Sequence, residues 1–169
     1  RIAHEKNVEH LAEAFEIVAA QRPDVKFLLV GDGPSRPELE QRLGTFARFA
    51  GYQTGETLAD HYAAGDLFAF PSVTETFGNV VLEAMAWGLP VVAIRAGGVG
   101  EIVQPGKTGL LIEPDQPPDC FARGLLDLVD DADRLRAMGA NARDYALSQS
   151  WDAIMSDLRD RYARIVGVK

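Results

Sequence analysis

Short apolar runs bounded by glycine or proline constrain the fold of this chain more than any other feature. Four clear runs lie at residues 25–30, 66–70, 89–94 and 109–112, and a weaker one lies at 45–50. The clear runs lack the alternation of polar and apolar residues that marks a half-exposed strand. They therefore predict strands buried on both faces, as in parallel sheets. Residues 1–3 are a candidate for the end of a further strand.

Segments with helical spacing of apolar residues separate these runs. Asn7 is a candidate N-cap for a helix through residue 21, which carries Leu11, Phe15 and Val18 on one face. Further helices are predicted at 37–43, 58–64, 79–87, 119–130, 133–147 and 152–165. Alternating strands and helices predict an α/β fold with a doubly wound, Rossmann-like parallel sheet, followed by extra C-terminal helices. A length of 169 residues suits one domain, here residues 1–169.

The charge and composition of the chain limit which classes of partner and which cellular setting are expected. The formal net charge is −8, which disfavours nucleic acid and anionic lipid as direct partners. No apolar run has membrane-spanning length, so we expect no direct membrane insertion. The single cysteine, Cys120, favours a reducing interior and hence a cytoplasmic setting. Because the chain opens with Arg rather than Met, we expect it to be part of a longer protein.

The segment from Pro71 to Met85 is the most informative for function. It follows a buried run and leads into a predicted helix, and Glu75 and Glu83 flank the start of that helix. The free N–H groups at a helix start bind anions, and a carboxylate on either side could accept hydrogen bonds from hydroxyl groups. This arrangement suits a phosphate joined to sugars. By spacing alone, a helix-start acid and a solvated helix glutamate explain the pair equally well.

Two glycine motifs in the chain match known phosphate-binding patterns incompletely. Gly106-Lys107-Thr108 lacks the first glycine of a phosphate loop and reads as a turn before a strand. Gly31 and Gly33 follow a strand but lack the third glycine of a dinucleotide fingerprint. No His, Cys or Asp cluster has metal-ligand spacing. We therefore expect no metal.

The segment around the two glutamates resembles the family 4 retaining glycosyltransferases, the group 1 transferase domain. Glu75 and Glu83 stand in the E-x7-E arrangement of that family. Other matches follow in order along the chain: Arg1, Lys6 and Asn7 as R-x4-K-N, glycine turns at 30–34 and 49–51, residues 62–66, and the loops at 97–101 and 106–110. The resemblance covers essentially the whole chain.

The resemblance implies the C-terminal, nucleotide-sugar-binding half of a GT-B fold. The donor would be a UDP-, GDP- or ADP-linked sugar. A carbohydrate or lipid-linked acceptor would be bound by an N-terminal domain that these residues do not include. The isolated domain is then expected to transfer little sugar. The family setting is cytoplasmic, including a peripheral position at the inner face of the membrane.

The resemblance also implies roles for individual residues. Glu83 would bind the ribose hydroxyls and Glu75 the hydroxyls of the transferred sugar, while Arg1 and Lys6 would neutralise the diphosphate. We take Glu75, Arg1 and Lys6 as the catalytic residues. The remaining predicted substrate contacts are Gly31, Gly33, Gly51, Thr76, Phe77, Gly78, Asn79 and Val80.

The family reaction retains the anomeric configuration. The acceptor attacks from the front face and the leaving phosphate takes its proton, so neither a protein nucleophile nor a cofactor is required. Three alternatives stay open: a nucleotide-sugar epimerase of GT-B architecture, a dinucleotide-binding oxidoreductase domain and a non-catalytic doubly wound module.

Overall fold

The computed structural model describes residues 1–149 and 151–167. Its helices and strands alternate through most of the chain, as the sequence predicts. The strands are β1 (Phe27–Val30), β2 (Ala47–Gly51), β3 (Phe68–Phe70), β4 (Val91–Ile94) and β5 (Gly109–Ile112). The helices are α1 (Val8–Gln21), α2 (Arg36–Leu43), α3 (Gly55–Ala63), α4 (Asn79–Ala86), α5 (Val99–Ile102), α6 (Pro118–Val129), α7 (Ala132–Ser148) and α8 (Trp151–Val166).

All pairings between these strands are parallel, but they form two sheets rather than one. β1 pairs with β2, and β3, β4 and β5 form the second sheet in that order. The parallel pairing agrees with the predicted fold class, while the division of the strands into two sheets was not predicted. Residues 1–3 are also not a strand. The amide of Ile2 donates instead to the carbonyl of Asp32 in the turn after β1, at 2.9 Å.

Helices cover both faces of the second sheet, as expected of a doubly wound fold. Val92 and Ile94 of β4 lie in a core with α1 and α6. Their neighbours Val91 and Ala93 lie in a second core with α4, α5 and α7. Successive side chains of a strand point to opposite faces of its sheet. Because helices cover both faces, every residue of β4 is buried. The unbroken apolar run of this strand is thereby explained.

The first core also unites the two sheets. Leu29 of β1 and Ala47 of β2 belong to the same buried cluster as Val92 and Ile94. Helix α1 packs along α6 within this cluster, although the two helices are far apart in sequence. Within residues 1–149 and 151–167, apolar packing thus joins two sheets that no ladder of backbone hydrogen bonds connects.

The segment 1–7 bridges the loops that follow β1 and β3. Ile2 is bonded to the loop after β1, while the hydroxyl of Thr74 donates to the carbonyl of Glu5 at 3.2 Å. Asn7 occupies the N-cap position of α1 but makes no capping bond with its side chain, which corrects the prediction. Its amide group donates instead to the carbonyl of Pro71 at 3.3 Å. Segment 1–7 therefore lies at the carboxyl ends of both sheets.

Helix α7, with 17 residues, is followed by α8, with 16. Among the described residues, none of the helices combines the length and apolar character needed to cross a membrane.

Candidate functional site

Glu75 lies in the loop between β3 and α4, held by two donors. The ammonium of Lys6 donates to its Oε1, and the hydroxyl of Ser72 donates to the same oxygen at 3.1 Å. The side chains of Lys6 and Glu75 are 30% and 20% exposed, so the pair is half-shielded from water. Ser72 itself is buried. The structure therefore brings together two of the three predicted catalytic residues.

The charge state of Glu75 follows from these donors. The hydrogen bond from the Lys6 ammonium is the main cause that holds the pKa of Glu75 below its usual range. Burial acts in the opposite direction and raises the pKa, while the Ser72 hydroxyl lowers it further. A carboxylate in this state is ionised at neutral pH and accepts hydrogen bonds only.

Arg1, the third predicted catalytic residue, is placed differently. Its guanidinium lies 3.4 Å from the carboxylate of Glu5, and its side chain is 67% exposed. In this structure the Arg1 guanidinium thus pairs with the neighbouring turn rather than with Glu75.

The loop that carries Glu75 rests on the backbone of Gly97 and Gly98, which follow β4. A Cβ atom on Gly97 would lie 1.9 Å from the carbonyl oxygen of Glu75, and one on Gly98 would lie 2.7 Å from those of Thr76 and Phe77. Both positions therefore exclude any side chain. Gly97 and Gly98 therefore allow the loop after β3 to pack directly against the backbone that follows β4.

Helix α4 begins at the end of this loop. Gly78 is its N-cap in the left-handed conformation, with φ 88°. Because the first amides of a helix have no partner within it, the N–H groups of Asn79 and Val80 are available at this end. Phe77 and Asn79 are exposed beside them. The predicted substrate contacts Thr76 to Val80 thus run from the end of this loop into the first turn of α4.

Glu83 lies one turn further along α4. The phenol of Tyr62, in α3, donates to its Oε2 at 3.1 Å. Burial is the main cause that raises the pKa of Tyr62, and the charge of Glu83 adds to it. One glutamate thus precedes the start of α4 and the other follows it, and each accepts a hydrogen bond from a residue distant in sequence, Lys6 for Glu75 and Tyr62 for Glu83.

The predicted glycines cluster at the carboxyl end of the first sheet. The amide of Gly31 donates to the carbonyl of Gly51 at 2.7 Å, which joins the loops after β1 and β2. At Gly33 a Cβ atom would lie 2.1 Å from the carbonyl oxygen of Ile2. Gly33 is thus required by the packing of segment 1–7 itself. Segment 1–7 links these glycines to Glu75.

A cavity of about 530 Å³ adjoins the same loop. Thr76 and Phe77 line it together with Gly97, Gly98 and Glu101. It lies on the α5 and α7 side of the loop, and neither Glu75 nor Glu83 belongs to its wall.

Within the described ranges 1–149 and 151–167, no group of three His, Cys, Asp or Glu side chains could hold a metal ion. The expectation that neither a metal nor a cofactor takes part stays a prediction.

Sequence reasoning did not single out Ser72 or Tyr62 as site residues. Ser72 precedes Glu75 by three residues, a spacing at which a loop hydroxyl often bonds a nearby group. Tyr62 and Glu83 are 21 residues apart on different helices, and no local signal connects them.

The chain matches known proteins over this whole arrangement. A family model for glycosyl transferases group 1 matches residues 1–131. A GDP-mannose-dependent alpha-mannosyltransferase of Mycolicibacterium smegmatis is 39% identical over 167 residues, which cover 99% of this chain and 42% of that protein. The chain spans less than half the length of the curated relatives it matches.

Solved structures show the same fold. The Anabaena protein HepE, in complex with UDP and glucose, is 29% identical with a TM-score of 0.79, covering 100% of this chain and 47% of its own. The C-terminal domain of the group 1 glycosyl transferase LpcC from Francisella tularensis is 27% identical with a TM-score of 0.79, covering 88% and 82%. The predicted Rossmann-like fold of a GT-B C-terminal half is confirmed. The chain therefore belongs to the group 1 glycosyltransferase family.

Proposed function

We propose that this chain binds a nucleoside-diphosphate sugar and, with an N-terminal acceptor domain, transfers the sugar with retention of anomeric configuration. The observation that carries the proposal is the pair Glu75 and Glu83 on either side of the α4 N-terminus, with Lys6 at the first of them. Two relatives support it, one named for its dependence on GDP-mannose and one crystallised with UDP and glucose.

The diphosphate is proposed to lie at the start of α4. Its oxygens would accept hydrogen bonds from the free amides there, and the helix dipole favours the negative charge. The Lys6 ammonium donates to Glu75, which lies in the loop that leads into α4. In the proposed complex Lys6 neutralises the phosphate that leaves, and Arg1 turns from Glu5 to join it.

Glu75 and Glu83 are proposed to bind different sugars of the donor, the transferred sugar and the ribose. Glu75 accepts hydrogen bonds from hydroxyl groups of the transferred sugar, for which it must be ionised, and Lys6 favours that state. Glu83 accepts bonds from the ribose. The base then lies toward Gly31 and Gly51, which leave the backbone of the first sheet open to close approach.

In the reaction we propose, the bond between the anomeric carbon and the phosphate oxygen breaks while the acceptor hydroxyl attacks from the same face. The leaving phosphate takes the acceptor proton. Preorganised donors act where this negative charge develops, and removal of one such donor typically lowers the rate by about 10²–10³-fold. A cytoplasmic setting and a carbohydrate or lipid-linked acceptor belong to the same proposal.

Calorimetric titration with UDP, GDP, ADP and NAD, each with a metal chelator, tests the donor site. We expect one nucleoside diphosphate to bind while NAD does not, and Glu83→Ala to weaken that binding by about 1–3 kcal/mol. Binding of NAD alone would support an oxidoreductase domain instead. An unchanged affinity in a folded Glu83→Ala variant would remove Glu83 from the site.

A further inference from the structure

The phenol of Tyr62 is held beside Glu83 by a hydrogen bond and by aromatic packing. Tyr62 lies on α3 and Glu83 on α4, and the phenol donates to Oε2 of the carboxylate at 3.1 Å. The ring of Tyr62 lies 6.2 Å from that of Phe68, which in turn stacks on Phe70 at 5.8 Å. The aromatic residues of β3 thus support the phenol from one side. Its position is set by packing and not by the hydrogen bond alone.

Glu83 needs such a contact because it is exposed on the surface of α4. A glutamate side chain in that position samples many rotamers, and binding a ligand in one of them opposes the loss of that freedom. A fixed donor on Oε2 selects one orientation in advance. Oε1 and the second lone pair of Oε2 then remain for hydroxyl groups of a ligand.

The chemistry of the donor also matters. Glu75 is held by a cation and a hydroxyl, whereas the donor to Glu83 is a neutral phenol. A phenol is neutral at pH 7, and burial and the nearby carboxylate raise the pKa of Tyr62 further. A cation beside Glu83 would attract the diphosphate, but a neutral donor leaves the carboxylate its full negative charge. Such a group repels phosphate and accepts hydrogen bonds from neutral hydroxyls.

We infer that Tyr62 is a positioning residue that presents Glu83 to the ribose diol of the nucleotide, and so sets the preference for ribonucleotides over deoxyribonucleotides. The inference rests on the proposed function, since it requires a nucleotide at this site. It adds a residue of α3 to the donor-binding machinery.

A comparison of matched nucleotides tests this role. The 169-residue chain and its Tyr62→Phe variant are titrated with the nucleoside diphosphate that binds, and with its 2′-deoxy and 3′-deoxy analogues. We expect Tyr62→Phe to weaken ribonucleotide binding about 5- to 10-fold, the effect of one lost hydrogen bond. The affinity for at least one deoxy analogue should stay the same, so that the ribose preference falls by the same factor. Tyr162→Phe, an exposed tyrosine on α8, should change neither quantity.

A double-mutant cycle separates positioning from a general effect on the fold. On the Glu83→Ala background, which removes the acceptor of the phenol, Tyr62→Phe should change ribonucleotide affinity by less than about 2-fold. An equal loss for all three nucleotides, or an unchanged ribose preference in a folded Tyr62→Phe variant, would overturn the inference and leave the proposed function intact. A wild-type chain that binds none of the nucleoside diphosphates would overturn the proposed function, and the inference with it.

Discussion

Replacing Gly33 by alanine should separate segment 1–7 from the loop after β1. The new Cβ atom would lie 2.1 Å from the carbonyl oxygen of Ile2, whereas such atoms normally approach to about 3.3 Å. One of the two must therefore move by about 1 Å. Ile2 is almost fully buried, and its backbone makes hydrogen bonds of 2.9 Å to Asp32 and 3.2 Å to Ser35.

The size of the effect follows from what that movement breaks. A shift of about 1 Å takes both backbone hydrogen bonds beyond their normal range, at about 1 kcal/mol each. Partial exposure of the Ile2 side chain adds about 1 kcal/mol more. We expect this contact to cost about 2–3 kcal/mol in the free energy of unfolding, or about 5–10 °C in Tm for a chain of this length, in addition to the backbone strain that alanine introduces at a positive φ.

Urea denaturation of Gly33→Ala measures this loss. Gly106→Ala is the matched control, because Gly106 also has a positive φ of 76° but no atom lies within 4 Å of its added Cβ. The control isolates the backbone strain of a left-handed residue, about 1 kcal/mol. If the two variants lost equal stability, the contact between Gly33 and Ile2 would not hold segment 1–7 in place, and the reasoning would be refuted.

Two further predictions concern the ion pair and the core. Glu75→Gln should lower stability by about 1 kcal/mol at pH 7, because the amide loses its charge interaction with Lys6. The folded-state pKa of Glu75 lies below its unfolded value, so the difference between wild type and variant should shrink as pH falls below about 4.5, as followed by denaturation at several pH values. A difference that persisted at pH 2 would contradict this. Phe121→Ala should cost about 3–5 kcal/mol, since this fully buried ring lies in the core between α1 and α6. A thermal melt that shifted by less than about 5 °C would contradict the tight packing of Phe121 in this core.

The strands could be predicted from sequence because their signal is local. Residues 91–94 are apolar and β-branched throughout except for Ala93, and the structure buries all four. The predicted starts of β1, β2, β3 and β4 each lie two residues before the observed starts, because a strand begins where its backbone meets a partner and the sequence does not show that partner. The division into two sheets could not be predicted, because pairing between strands depends on contacts far apart in sequence.

The same distinction applies to the site. The E-x7-E spacing lies within one loop and one helix, so the sequence itself displays Glu75 and Glu83. The pairing of Lys6 with Glu75 spans 69 residues and was not predicted, since the family resemblance implied a separate role for each residue. Asn7 has the chemistry of an N-cap, yet its amide bonds Pro71, 64 residues away, because that carbonyl is brought within reach by the fold. The hydrogen bond between Tyr62 and Glu83 joins two different helices, and no local sequence pattern predicts it.

The division of the strands into two sheets has a consequence for how the protein opens. The described residues form two separate hydrogen-bonded ladders, which only side-chain packing and segment 1–7 join, so the two ladders are expected to exchange their amide hydrogens as separate cooperative units. A nucleotide that contacts Gly31 and Gly51 on one sheet and the loop after β3 on the other would lie across their boundary. Its binding free energy would then oppose their separation, and bound nucleotide should slow exchange in both ladders together.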